Sequence, residues 1–204
     1  MSPKTRGTIC GVAAAMFYGA NPLGALPLYA EGINTCSVLF YRYAIAVAVL
    51  AVVMAVRRKP LAVSRRDLAI MALLGVLFAA SSLSLFMSFL FMGAGVASTL
   101  LFVYPVMVAV MMAVFFKERV TRSTVLAIAL ALTGVALLYK GDGGKPLSGA
   151  GVMLVMVSSL TYALYIIIVN KSPLRMSSVK MTMYVLTFAV AVAVAMSFTD
   201  PANH

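Results

Sequence analysis

The chain has 204 residues, 63% of them hydrophobic and 10% charged, whereas an ordinary soluble domain carries roughly 25% charged side chains. Its mean hydropathy is +1.05. These values exclude a soluble globular protein and make the lipid bilayer the expected partner of most of the chain, because the apolar residues arrive in stretches of about 20, the length a helix needs to cross hydrocarbon.

The net charge is +11, from 16 Lys and Arg against 5 Asp and Glu. The basic residues sit at the ends of apolar spans and form no continuous stripe with interleaved aromatics, so topology accounts for them and nucleic acid is not an expected partner. Cys10 and Cys36 are the only cysteines. They fall near opposite ends of the first hairpin, about 30 Å of hydrocarbon apart, too far for a disulfide.

In chain order the spacing predicts an all-α fold, a polytopic transmembrane bundle of seven helices: Gly7–Tyr29, Ser37–Val56, Leu68–Met92, Val96–Phe116, Ser123–Tyr139, Gly151–Val169 and Ser178–Phe198. The first stretch is too long for a secretory leader and lacks a small-residue cleavage site, so it is expected to remain as a helix. Runs such as Ala44–Val56 show no alternation of apolar and polar residues, which argues against a barrel.

Lys and Arg accumulate in cytoplasmic loops, and here they alternate. Lys4 and Arg6 precede the first helix. Arg57, Arg58, Lys59, Arg65 and Arg66 follow the second; Lys117, Arg119 and Arg122 follow the fourth; Lys171, Arg175 and Lys180 follow the sixth. The intervening loops carry only Lys140 and Lys145. The expectation is a multi-pass protein of the cell or inner membrane with its N-terminus in the cytoplasm and the end of this chain outside.

An offset of 144 lays the sixth and seventh helices over the first and second, aligning Gly7 with Gly151 and Tyr18 with Tyr162. Lengths and hydropathy match, while the loop charge is reversed. An odd-numbered helical unit repeated in tandem enters the membrane the opposite way round, giving an inverted repeat. The expected organisation is a first five-helix repeat over residues 1–140 and a partial second repeat of two helices over residues 149–204. Completion would take a second copy of the chain or a partner supplying the missing C-terminal half.

Helices four and five carry Ala97-Ser98-Thr99-Leu100-Leu101, Tyr104-Pro105-Val106, Phe116-Lys117-Glu118-Arg119-Val120-Thr121 and Thr133-Gly134-Val135. In this order of features the chain resembles the EamA-type repeat of the drug/metabolite transporter superfamily, and Arg42 in helix two fits as well. The resemblance implies two five-helix repeats and export or exchange of small metabolites, amino acids or drugs by alternating access, with the small-molecule substrate held between the repeats.

Several residues are candidates for the substrate pathway, each with a plainer structural reading. Arg42, inside helix two, could attract a carboxylate or phosphate, or snorkel to headgroups or pair with Glu31. Tyr18 and Asn21 flank a kink at Pro22, where proline frees a carbonyl; Gly7, Gly11, Ala15 and Gly19 at four-residue spacing make a packing kink the alternative. Ser81, Ser84 and Ser88, with Ser98 and Tyr104 before the second kink at Pro105, could present hydroxyls to a polar cavity or serve as packing glue. Tyr162 and Tyr165 could face the same cavity or anchor at an interface. Lys117, Glu118 and Arg119 form a cytoplasmic helix end, either a gate or a set of charges answering helix carbonyls.

All five acidic residues, Glu31, Asp67, Glu118, Asp142 and Asp200, fall in loops or at helix ends, leaving no mid-membrane carboxylate for a proton relay. His204 is terminal, and no phosphate-binding loop or Cys/His cluster is present, so no catalytic residues, metal site or cofactor is expected. The rival to a transporter is a truncated, non-transporting membrane fragment that needs a partner for the missing helices.

Overall fold

The computed structural model describes residues 3–58, 61–117, 122–139, 148–174 and 176–197; the side chains of Tyr18, Asn21 and Pro22 lie outside the described part. Its helices are α1 (Pro3–Gly19), α2 (Asn21–Ala30), α3 (Thr35–Val56), α4 (Arg65–Ser88), α5 (Ala94–Leu101), α6 (Tyr104–Phe116), α7 (Arg122–Tyr139), α8 (Gly149–Lys171) and α9 (Ser178–Ser197). Among the described residues, five spans are long and apolar enough to cross a membrane: α3, α4, the α5–α6 pair over Ala94–Phe116, α8 and α9. The shortest, α9, has 20 residues, which at about 1.5 Å of rise each covers the hydrocarbon. The chain is an integral, multi-pass membrane protein.

Two spans that the sequence presents as single helices are each divided. The first breaks at Ala20, with Asn21 and Pro22 opening α2. In the fourth, the Phe102 and Val103 amides turn back to the Thr99 and Leu100 carbonyls at 3.0 and 3.1 Å. These three-residue bonds tighten the chain just before Pro105, which has no amide to continue the ladder.

Local chemistry also sets the ends. The Asn34 side chain accepts from the Ser37 amide at 2.8 Å, a cap that starts α3 at Thr35, two residues before the sequence expectation. The third span is displaced toward its N-terminus, from an expected Leu68–Met92 to Arg65–Ser88. Asp67 lies in its first turn, where the helix dipole favours an acid. Beyond Ser88 the Phe91 and Met92 amides both return to its carbonyl, and Gly93 leads into α5.

The centre of the bundle is α4. It packs along α8 and α9, while α9 also lies along α3, and α8 packs in turn against the α5–α6 pair. Small residues permit the close approaches. A Cβ on Gly75 would stand 2.8 Å from the Val185 carbonyl oxygen and would overlap Phe188, so α4 and α9 nearly touch through their backbones. The core between these helices holds Leu39, Tyr43, Phe86, Ala97, Val155 and Ala189, with Met71, Leu74 and Val185 nearer the other end. Outward-facing residues such as Phe17, Val49, Val114, Phe115 and Leu130 remain exposed, an arrangement that lipid solvates without penalty.

Candidate functional site

Three cavities cluster around the N-terminal half of α3. One, of about 450 Å³, lies between the α1–α2 segment and α3 and is lined by Phe17, Gly24, Ala25, Leu28, Arg42 and Phe86 among others. The second, of about 490 Å³, runs from Tyr29 and Asn34 to Leu83, Met87 and Met196. The third, of about 200 Å³, separates Cys36, Phe40 and Tyr41 from Ala193 and Ser197. Ile33 lines the first two, Cys36 the last two, and Tyr41 the first and third, so the three form one neighbourhood. The first two have the volume of small-molecule sites.

Arg42 is half-buried at the edge of this neighbourhood, with its guanidinium carbon 5.4 Å from the centre of the Phe86 ring. Stacking on an aromatic face is a favourable way to hold a planar cation in apolar surroundings. Phe86 is itself buried, and its carbonyl lies 3.5 Å from the Tyr29 hydroxyl, which donates to it. The platform beneath the charge is thereby fixed from two sides.

A run of rings leads inward from there. Tyr43 meets Phe78 at 5.8 Å between centroids, Phe78 meets Tyr165 at 5.7 Å, Tyr165 stacks on Tyr162 at 5.8 Å, and Tyr162 meets Tyr104 edge-on at 4.8 Å. These separations suit attractive aromatic contacts. The run crosses from α3 through α4 and α8 to α6. The Tyr43 hydroxyl lies beside Ser82 and has no hydrogen-bond partner among the described residues; the Ser98 hydroxyl has none either.

The serines divide by role. Ser81 and Ser158 are buried and joined reciprocally: Ser81 Oγ donates to the Ser158 carbonyl at 3.0 Å and Ser158 Oγ to the Ser81 carbonyl at 2.7 Å. Ser88 bonds back to the Leu85 carbonyl in its own helix. Ser84 is half-buried, and none of Ser81, Ser84, Ser88 and Ser98 lines the Arg42 cavity. Tyr104, Tyr162 and Tyr165 do come together, away from Arg42.

Lys117 is exposed and left-handed at the end of α6, with φ of 53°, while Glu118 and Arg119 lie outside the described residues. At that same end Lys180 donates to the Ala62 carbonyl and the Tyr184 hydroxyl to the Leu61 carbonyl, each at 2.7 Å. The two bonds tie α9 to the loop between α3 and α4. Lys171 Nζ stands 4.7 Å from the Phe116 ring centre and holds α8 to α6 there.

Residues 5–140 match the model of the EamA-like transporter family. The chain belongs to that family. An uncharacterized transporter of Archaeoglobus fulgidus is 30% identical over 126 residues, which cover 61% of this chain and 43% of the relative. The chain therefore spans less than half the length of the curated relative it matches. No solved structure matches it.

Sequence reasoning missed the partners of Arg42 in this EamA-like chain. Phe86 lies on the next helix, α4, and nothing in a row of apolar residues marks one phenylalanine as a platform. The available signal was Tyr41-Arg42-Tyr43, an aromatic-flanked cation inside an otherwise aliphatic helix. Lys180 and Tyr184 were also missed as a pair. Their spacing of four residues places them on one helix face, where both can reach the same loop.

Proposed function

We propose that this chain moves a small molecule, a metabolite, amino acid or drug, across the membrane by alternating access, with its N-terminus in the cytoplasm. The observation that carries the reading is the difference between the two ends of the bundle. Cavities gather at the end holding Asn34 and Ser197, whereas the opposite end is tied shut by Lys180 and Tyr184 on the α3–α4 loop. Alternating access needs such an asymmetry, reversed in the other half of the cycle.

The pairing of α3 with α9 supports the inverted-repeat part of the reading. The offset of 144 makes these two helices equivalents, and equivalents related by an axis in the membrane plane would pack antiparallel beside each other. In this reading the outward faces of α1 and α2 belong against further helices, from the second repeat or from a second copy. The rival reading of a non-transporting fragment draws no support from the family match.

The test is flux into proteoliposomes loaded with the purified chain, using labelled amino acids and small carboxylates. Saturable uptake of at least one solute is expected, reduced when Tyr18, Asn21 or Ser84 is replaced by Leu. Absence of saturable flux with correctly folded protein would overturn the reading. Tags on the two chain ends should be reached from opposite sides of the membrane; finding both on one side would remove the inverted arrangement.

A further inference from the structure

We infer that the cavity between α2 and α3 binds a small organic anion, an oxyanion headgroup carried on an apolar body, with Arg42 taking the headgroup. The inference rests on the transport reading for its biological meaning and gives that reading a substrate class. Its physical basis is the contrast inside one cavity. Of the described residues that line it, Arg42 is the one with a formal charge, and none is acidic. The walls are otherwise supplied by residues such as Phe17, Ala25, Leu28, Ile45 and Phe86.

Such a lining rejects a cation, which would meet like charge in a medium of low dielectric. It also disfavours a strongly polar neutral solute, whose groups would be left without partners. A carboxylate engages a guanidinium through charge-assisted and often paired hydrogen bonds, while its hydrocarbon part replaces water against the apolar wall. The volume of about 450 Å³ accommodates a body the size of a phenylpropyl group. The Phe86 ring, 5.4 Å from the guanidinium carbon, restrains the charged head, so less freedom is lost when the anion arrives.

The same headgroup chemistry is offered by an anionic phospholipid and by a free carboxylate. The experiment separates them. The chain is reconstituted in phosphatidylcholine nanodiscs, and binding of labelled 3-phenylpropionate is measured against 3-phenylpropanamide and 2-phenylethylamine as competitors. Saturable binding is expected that neither competitor displaces. Arg42→Gln should weaken it about tenfold or more, the usual worth of a hydrogen bond to a charged group, with Arg42→Lys retaining part of the affinity.

A second variant guards against misfolding of the first. Gly24 lines the cavity and a Cβ there meets nothing within 4 Å, so Gly24→Leu adds bulk to the cavity wall without a clash at its Cβ and is expected to abolish probe binding with Arg42 still present, its folding checked by an unchanged melting temperature. A lipid source would instead appear as phosphatidylglycerol that co-purifies with the wild-type chain, is missing from Arg42→Gln and blocks the probe. Binding that is indifferent to Arg42 for both probe and lipid, or equal binding of the amide, overturns the inference. Occupancy does not require turnover: intact binding without flux sinks the transport reading alone, and flux without Arg42-dependent binding sinks this inference alone.

Discussion

The Ser159 hydroxyl donates to the Leu101 carbonyl at 3.3 Å, and Leu101 is the residue whose carbonyl would have accepted the amide at position 105. Proline there has no amide to give. A serine on α8 therefore satisfies the acceptor released by the break between α5 and α6, as an interior without water requires. The same bond fixes α8 against the divided span.

This relationship makes a non-additive prediction. Ser159→Ala should destabilise the chain by about 1 kcal/mol, the typical worth of such a bond in a membrane protein. In a Pro105→Ala background, where the helix can satisfy Leu101 itself, the same change should cost much less. Equilibrium unfolding of the four members of the cycle measures the difference; equal costs in both backgrounds would refute the link.

Two glycines should respond unequally to a methyl group. At Gly75 a Cβ meets the Val185 carbonyl oxygen at 2.8 Å and also overlaps Phe188, so Gly75→Ala must push α4 from α9 and is expected to cost about 1 to 3 kcal/mol. At Gly151 the nearest obstacle is the tip of Met92 at 2.6 Å, and a methionine can turn aside. Gly151→Ala should lower the melting temperature less than Gly75→Ala does.

Loosening the tie at the basic end should expose it. Tyr184→Phe removes one bond to the α3–α4 loop, worth about 1 kcal/mol or about a fivefold shift between two states. In a Cys10→Ala background, a cysteine placed at Val63, which packs against the same buried cluster as Tyr184, should react correspondingly faster with maleimide. Lys180→Gln should act in the same direction. Unchanged labelling in both would mean that these bonds do not hold that end closed.

Of the seven expected spans, the five that the described residues bear out were legible because hydrocarbon imposes a length and excludes charge, demands that act on each segment separately. The start of α3 was read two residues late, at Ser37, because the Asn34 cap that begins it at Thr35 is a polar residue outside the apolar run. The division of roles among serines was not legible. Ser81 and Ser88 are seven residues apart on α4, yet the first bonds across to Ser158 and the second to its own helix. Which of these a hydroxyl does depends on what another helix brings opposite it.

Arg42 shows the boundary most clearly. The sequence by itself determined that the chain is helical and membrane-embedded, that a cation sits inside its second apolar span, and that its acids fall outside the apolar runs, since the cost of burying charge in lipid acts residue by residue. Only the tertiary structure decided that this cation rests on Phe86 beside a cavity, that Tyr104, Tyr162 and Tyr165 adjoin, and that α9 closes over the α3–α4 loop. Those outcomes come from the rotation and pairing of helices, which close packing fixes jointly among distant residues.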